Sequence, residues 1–293
     1  MPAREITVLS GKGGTGKTSL AAAFAHLAER ALICDLDVDA SDLPLLLAPR
    51  IVKRHRFSAG RIAVLDADLC RACGACVARC RYGALETGRD GVVLDPSLCE
   101  GCGVCAHFCP ARALTMRTRQ SGEWFLSDTD FGPMLHARLG PGEENSGKLI
   151  ARLRREAATL AEDRNLDLIL SDGPPGLGCP AIAAVGGSGF AVLVSEPTPS
   201  GLSDLARIAE LAAHFGVPAG VVLNKADLDL DRARETRALA AGRGIPLLAE
   251  IPFSENAMRA LGEGRTLLDV PETATAVAGL WTAVRGRIAV PVP

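Results

Sequence analysis

LSGKGGTGKTSL, residues 9–20, is the stretch that decides the fold. From Gly11 to Thr18 it fits G-x-x-x-x-G-K-[ST], with the strand-like EITVLS before it and the alanine-rich KTSLAAAFAHLAER after it. The glycines let consecutive backbone N–H groups curl around phosphates, and the positive end of the following helix adds to the attraction. Gly11, Lys12, Gly13, Gly14, Thr15, Gly16, Lys17, Thr18 and Ser19 are therefore candidates for nucleotide binding. Lys17 is expected to reach the β- and γ-phosphates and Thr18 to ligate Mg2+.

Outward from this loop, short apolar runs suited to buried parallel strands recur at ALICDLD (31–37), LDLILSD (166–172), FAVLVSE (190–196) and AGVVLNK (219–225). Helical stretches separate them, notably KLIARLRREAATLAEDR (148–164) and SDLARIAELAAHFG (203–216). The alternation predicts an α/β fold, a mostly parallel sheet with helices on both faces. The 293 residues are 48% hydrophobic and 23% charged, the mix of a globular protein with a substantial core. A net charge of −2 excludes a global basic field for nucleic acid. No apolar run is long enough to span a bilayer, and the chain starts without a charged-then-apolar leader, so a cytoplasmic protein is expected.

The alternation breaks between residues 58 and 118. Eight of the ten cysteines fall between Cys70 and Cys109, where CRACGACVARCRYGAL (70–85) is echoed by CEGCGVCAHFCPARAL (99–114). Both copies follow C-x2-C-G-x-C-x3-C-x3-A-L, an internal duplication. Reduced cytosolic thiols in such a block point to metal rather than to disulfides. Structural zinc is one reading, although zinc favours paired C-x2-C units brought together from separate places. Three cysteines within seven residues suit the corners of a cubane cluster, whose irons each take one thiolate. The segment closely resembles bacterial two-cluster ferredoxins. That resemblance implies one [4Fe–4S] cluster on Cys70, Cys73, Cys76 and Cys109, and a second on Cys99, Cys102, Cys105 and Cys80. It also implies that Gly74 and Gly103 let backbone amides approach the sulfides. Arg81 stands where the family has proline after the fourth cysteine. The expected organisation is a P-loop domain in two parts, 1–57 and 119–293, interrupted by a small α+β ferredoxin-like insert at 58–118.

Lys12 sharpens the first motif. K-G-G-x-G-K-T resembles the deviant phosphate loop of the MinD/ParA family, to which the nitrogenase iron protein is related. The resemblance implies a homodimer across the nucleotide, with Lys12 reaching the other subunit's phosphates. It makes Lys12, Lys17 and Asp37 the catalytic candidates, Asp37 (in CDLDVDASDL, 34–43) positioning the attacking water. In LILSDGPPGLG (168–178), Asp172 would hold Mg2+ through water and Gly176 would sense the γ-phosphate. LNKADLD contains Asn224 and Asp227 in an N-K-x-D pattern, which read alone favours GTP. In the family an asparagine at this place contacts adenine and a strand-end I-P-F, here with Pro252, lines the other side, so ATP is favoured.

Cys179 falls at the offset of a cluster ligand in the nitrogenase iron protein, but the chain supplies no second cysteine for a shared cluster. It is read as a small buried side chain, with metal binding as the alternative, and Cys34 as core. GEENSGKL (142–149) is read as a helix start with Asn145 or Ser146 near the cap. Basic residues flank the insert: Arg50, Lys53, Arg54 and Arg56 before it, Arg112, Arg117 and Arg119 after. They are expected in solvated connectors, with docking of an acidic redox partner as the alternative. In TAVAGLWTAVRGRIAV (275–290) the apolar face is expected to pack on the sheet rather than on a membrane. The combined expectation is an ATP- and Mg2+-dependent dimer coupled to two [4Fe–4S] clusters, acting on a redox or metal-cluster partner protein. A positioning ATPase with a structural iron–sulfur domain is the alternative.

Overall fold

Each buried apolar run becomes a strand, and each ends where the chain turns toward one edge of the sheet. In the computed structural model, which describes residues 3–143 and 146–289, the chain begins β1 (Arg4–Ser10), α1 (Lys17–Leu27), β2 (Ala31–Asp35), α2 (Leu43–Leu47) and β3 (Arg50–Leu65). It continues through β4 (Leu85–Gly88), β5 (Gly91–Leu94), α3 (Val104–His107), β6 (Leu114–Thr129), β7 (Gly132–Leu139) and α4 (Ser146–Asp163). The last part runs β8 (Leu168–Pro175), α5 (Cys179–Val185), β9 (Phe190–Ser195), α6 (Pro199–His214), β10 (Ala219–Asn224), α7 (Leu230–Gly242), β11 (Leu247–Ile251), α8 (Glu255–Gly262) and α9 (Pro271–Ala289). The main sheet has the order β11-β10-β9-β1-β8-β2-β7-β6-β3 and is parallel from β11 through β7. The two-residue turn between β6 and β7 makes that pair a hairpin. The fold is the expected α/β architecture.

The chain divides into two compact units, one of residues 1–55, 124–138 and 146–293, the other of 56–123 and 139–145. β3 and β6 carry the chain from the first unit to the second and back. The basic flanks Arg50–Arg56 and Arg117–Arg119 therefore lie in strands, where connectors were expected. Their patterning is too charged to read as sheet: all seven residues from Arg50 to Arg56 are exposed in the edge strand β3, where charge protects an unpaired edge.

The first unit's core packs α1 and α9 on one face of the sheet. Phe24 of α1 is fully buried and meets Trp281 of α9 with ring centroids 5.1 Å apart. Val277, Leu280 and Val284 are buried beside it, and Ile288 is half-buried against the same core. The apolar face of the last helix is thus spent on the sheet, as expected. No described helix is long and apolar enough to cross a membrane.

The second unit is built as two pseudo-equivalent halves. Ala84 and Leu85 of one repeat and Ala113 and Leu114 of the other are all buried. Ala84 O accepts from Asp95 N–H and Ala113 O accepts from Asp66 N–H, both at 2.8 Å, so each half leads into the other's cysteine run. Left-handed backbone recurs at matched places, Gly74 with Gly103 and Ala72 with Gly101. The hairpin β4–β5 pairs Leu85 with Leu94 through Gly88 with Gly91.

Removing the largest fully buried side chain of the main core tests this packing. Phe24→Ala is expected to cost about 3–5 kcal/mol and to lower the urea midpoint followed by far-ultraviolet circular dichroism.

Candidate nucleotide and metal sites

Strand order brings the site together. β8 lies between β1 and β2, so the ends of these three neighbours deliver the phosphate loop, Asp172 and the Asp35–Asp37 turn to one place. Leu36 N–H donates to Asp172 O at 2.8 Å and Gly176 N–H to Ser10 O at 3.0 Å, which stitches the three ends together. Gly16 opens α1 in left-handed backbone at φ 89°, and a Cβ there would lie 2.4 Å from Asn224 Nδ2. Only glycine fits.

Lys17 is nearly buried and points into a nest of carboxylates. Its Nζ lies 2.8 Å from Asp172 Oδ1, 3.4 Å from Asp37 Oδ2 and 3.2 Å from Thr18 Oγ1. Asp35, behind them, accepts from Ser41 Oγ at 2.7 Å and from Asp37 N–H at 3.0 Å. Burial works against the Lys17 ammonium, but Asp172, Asp37 and Asp35 outweigh it and hold its pKa above the ordinary value. Burial raises Asp37, partly opposed by Lys17. Burial, and then the charge of Asp172, push Asp35 up to about 8. Three carboxylates share one ammonium, and Asp172 Oδ2 and Thr15 Oγ1 are buried without a hydrogen-bond partner. Unspent acceptors and excess negative charge fit a hydrated divalent cation between these residues and a phosphate.

The neighbouring strand ends hold the loop from behind. Asn224 Nδ2 donates to Thr15 O at 2.8 Å, and its Oδ1 accepts from Lys225 N–H at 3.0 Å. Asp227 Oδ1 accepts from Phe253 N–H at 2.7 Å, beside Pro252. Both Asn224 and Asp227 thus make bonds within the chain. Lys12 does the same: its Nζ pairs with Glu196 and donates to Thr198 Oγ1 at 3.2 Å and Ser200 Oγ at 3.0 Å. Glu196 had no assigned role in the sequence; its signal was an acid directly at the end of the apolar run FAVLVS. Gly13 and Gly14 are exposed, Ser19 lies in the first turn of α1, and Gly176 is left-handed at φ 86°. Cys34 is fully buried, as expected. Cys179 corrects its reading: it is exposed, because it opens α5 directly after the Gly178 loop instead of packing beneath it. Ser146 begins α4, while Asn145 lies outside the described residues.

In the second unit Cys80 lines a cavity together with Cys99, Cys102 and Cys105. Burial raises the Cys76 thiol, and Cys109 and Cys70 are close enough to add to the shift. For Cys105 the cause is again burial, with Cys99 and Cys102 adding to it. Ala63 N–H points to Cys99 Sγ at 3.5 Å and Ala113 N–H to Cys109 Sγ at 3.3 Å. Cys73 and Cys102 are exposed. Among the described residues no three His, Cys, Asp or Glu side chains converge on a single metal-ion position. A cubane does not ask for that: it presents separate irons, each to its own thiolate.

A phosphate loop at the carboxyl edge of a parallel sheet, with carboxylates at the neighbouring strand ends, defines a P-loop nucleotide-binding protein. Residues 6–267 match the CbiA family, the CobQ/CobB/MinD/ParA nucleotide binding domain, and the chain belongs to that family. An uncharacterized protein of Methanocaldococcus jannaschii is 33% identical over 224 residues, 75% of this chain and 78% of its own. A second from the same organism is 24% identical over 238 residues, 75% of this chain and 79% of its own. Among solved structures, the cell division ATPase MinD of Pyrococcus furiosus aligns at TM-score 0.57 and 21% identity, over 97% of this chain and 99% of its own. The septum site-determining protein MinD of Pyrococcus horikoshii, complexed with Mg-ADP, aligns at TM-score 0.57 and 20% identity, over 99% and 100%. These likenesses are of fold.

The raised Asp35 has a consequence for stability. Its folded pKa of about 8 lies above the ordinary 3.8, so between those values the native state holds a proton that the unfolded chain has lost. Without Mg2+ and nucleotide, this contribution is full below about pH 4 and is lost as pH rises to about 8. Asp35→Asn is expected to flatten that decline in denaturation midpoints measured from pH 5 to 8.

Proposed function

We propose that this chain is an Mg2+-dependent ATPase whose nucleotide-switched homodimer is coupled to two [4Fe–4S] clusters, delivering electrons to a partner protein or assembling a metal cluster on it. What carries the reading is the grouping of Cys80 with Cys99, Cys102 and Cys105, and of Cys76 with Cys70 and Cys109, in a chain whose other unit holds a complete phosphate loop. Cys80 lies with the other run's three, and Cys109 lies near Cys76 of the first run, which supports the crossed ligand sets of two cubanes. With Cys73 completing the first set, these eight thiolates would hold the clusters, and each cluster when bound stores or passes one electron. The insert is assigned to residues 58–118.

In the P-loop unit the residues divide the work. Lys17 Nζ leaves Asp172 and Asp37 for the β- and γ-phosphate oxygens, as the phosphates bring the stronger negative charge. Asp37, released from Lys17, orients the water that attacks the γ-phosphate and accepts its proton; burial has already raised its pKa toward that task. Thr18 Oγ1 and Asp172 Oδ2 would hold a hydrated Mg2+, which when bound neutralises phosphate charge. Gly176, whose N–H donates to Ser10 O without nucleotide, would give up that bond and sense the γ-phosphate from the loop after β8. Lys12 crosses to the partner subunit's nucleotide and adds a cation to the transition state. ATP is favoured over GTP by the family resemblance, in which an asparagine at the place of Asn224 contacts adenine; Asp227 meanwhile accepts from Phe253 N–H. Asn224 and Pro252 flank the base.

A positioning or switch ATPase with a structural iron–sulfur unit is the second reading, favoured by the fold shared with MinD. Anaerobic redox titration of the reduced-cluster EPR signal separates the two. Coupling predicts a midpoint shift of about 60 mV or more with Mg-ATP, roughly 1.4 kcal/mol for one electron. Signals indifferent to nucleotide support the second reading, and failure to reconstitute any [4Fe–4S] signal removes both.

Asp37→Ala is expected to lower the hydrolysis rate by about 100-fold or more while Mg-ATP binding persists. Equal loss of binding and hydrolysis in a nucleotide-binding and phosphate-release assay would place Asp37 outside the chemical step.

A further inference from the structure

The ammonium of Lys12 is fully spent within its own chain. It has three protons to give, and Glu196, Thr198 Oγ1 and Ser200 Oγ take them, the first two from the short segment that joins β9 to α6 and the third from the first turn of α6. The segment is itself fixed. Thr198 Oγ1 also caps α6 by accepting from Gly201 N–H at 3.0 Å, and a Cβ on Gly201 would lie 2.3 Å from Glu196 O. The second carboxylate oxygen of Glu196 is held by Lys225 Nζ at 3.0 Å, and Lys225 donates in turn to Gly14 O at 3.1 Å. Glu196 is therefore a rigid acceptor anchored to the back of the phosphate loop, and its side chain is 14% exposed. Lys12 is 28% exposed and lies at the open side of this arrangement.

We propose that Glu196 is a positioning residue that latches Lys12 onto its own subunit, so that the lysine is surrendered only when a partner's nucleotide phosphates compete for it. The inference rests on the reading of Lys12 as a residue that acts across a dimer. A free lysine on a loop would sample the partner's site at random. A saturated one must break three bonds at once, which turns dimer closure into a threshold. Glu196 keeps Lys225 when Lys12 departs, so the carboxylate is not left alone and the loop carbonyl of Gly14 stays bonded. The charge of Glu196 follows the same geometry: burial would raise its pKa, but hydrogen bonds from Lys12 and Lys225 overcome this and hold it low, so the latch stays charged at neutral pH.

The test compares wild type with Glu196→Gln and Ser200→Ala, purified anaerobically with the clusters retained. Dimer fraction is measured by sedimentation against the Mg2+ salt of a non-hydrolysable ATP analogue. The accessibility of Lys12 is measured in nucleotide-free protein by timed amine acylation and peptide mass spectrometry. The latch predicts that Glu196→Gln dimerises at roughly tenfold lower nucleotide, a gain of about 1.4 kcal/mol, and that Lys12 acylates several-fold faster. Ser200→Ala, which leaves the Lys225 brace untouched, shifts both readouts the same way by less. An unchanged or raised midpoint in Glu196→Gln, with wild type dimerising normally, overturns the latch and leaves the dimer reading standing. Unchanged Lys12 acylation in both variants also overturns it. A wild type that never dimerises removes the dimer reading and, with it, the purpose of the latch.

Discussion

Lys17 Nζ lies 2.8 Å from Asp172 and 3.4 Å from Asp37, in a pocket where Asp35 and Asp172 are 1% exposed. Burying charges in this way costs free energy unless each finds a partner, and here one cation faces three carboxyl groups, of which Asp35 keeps its proton up to about pH 8. The sheet is arranged to hold that imbalance. β8 runs between β1 and β2, so carboxylates from two strands meet the lysine that opens α1. Ser41 and the Asp37 amide steady Asp35 on the far side. The pocket is left short of positive charge and with an unspent acceptor on Asp172, which is a sound design for a site completed by a cation and an anion together.

The same logic governs the back of the phosphate loop. A loop that turns its N–H groups toward phosphates must turn carbonyls the other way, where they take donors from neighbouring strand ends. Lys225 supplies one to Gly14 O and Asn224 supplies one to Thr15 O, both from the end of β10. An N-K pair at a strand end is thus explained by bracing before any base is considered. Asp227 extends the brace by fastening Phe253, so the end of β11 is tied to the end of β10.

Most of the P-loop unit was legible because its chemistry is local in sequence. The loop from Gly11 to Thr18 carries its own geometry, and the buried strands are continuous apolar runs that a parallel sheet requires. What escaped is what depends on long-range pairing. β3 and the start of β6 are exposed and rich in arginine, so neither period nor propensity marks them, and only the sheet edge makes them strands. Glu196 escaped for a related reason: its partners, Lys12 and Lys225, lie 184 and 29 residues away by chain. Cys179 was misread because burial was inferred from the want of a second cysteine to share a cluster, whereas Cys179 opens α5 and is exposed. The cysteine repeat was legible as a duplication, but that each half hands its chain to the other through Asp66 and Asp95 is visible only in three dimensions.

That exchange bears on how the second unit can be stable. Its apolar core is small, and Cys76 and Cys99 are buried within it with Cys70, Cys80, Cys105 and Cys109 packed against it. Thiols in such a place are core atoms, and burial raises those of Cys76 and Cys105. If the ligand sets are crossed as proposed, neither repeat can complete a set by itself, because each lends its fourth cysteine to the other. Loss of one cluster would then leave gaps in both halves. Metal and fold would then be a single equilibrium, as they are wherever ligands must be gathered from separate parts of a small domain. The P-loop unit has no such dependence, since its core of Phe24, Trp281 and the β-strand residues is complete without metal. On the proposed ligand sets, then, one unit of the chain would stand or fall with iron while the other holds its shape without it.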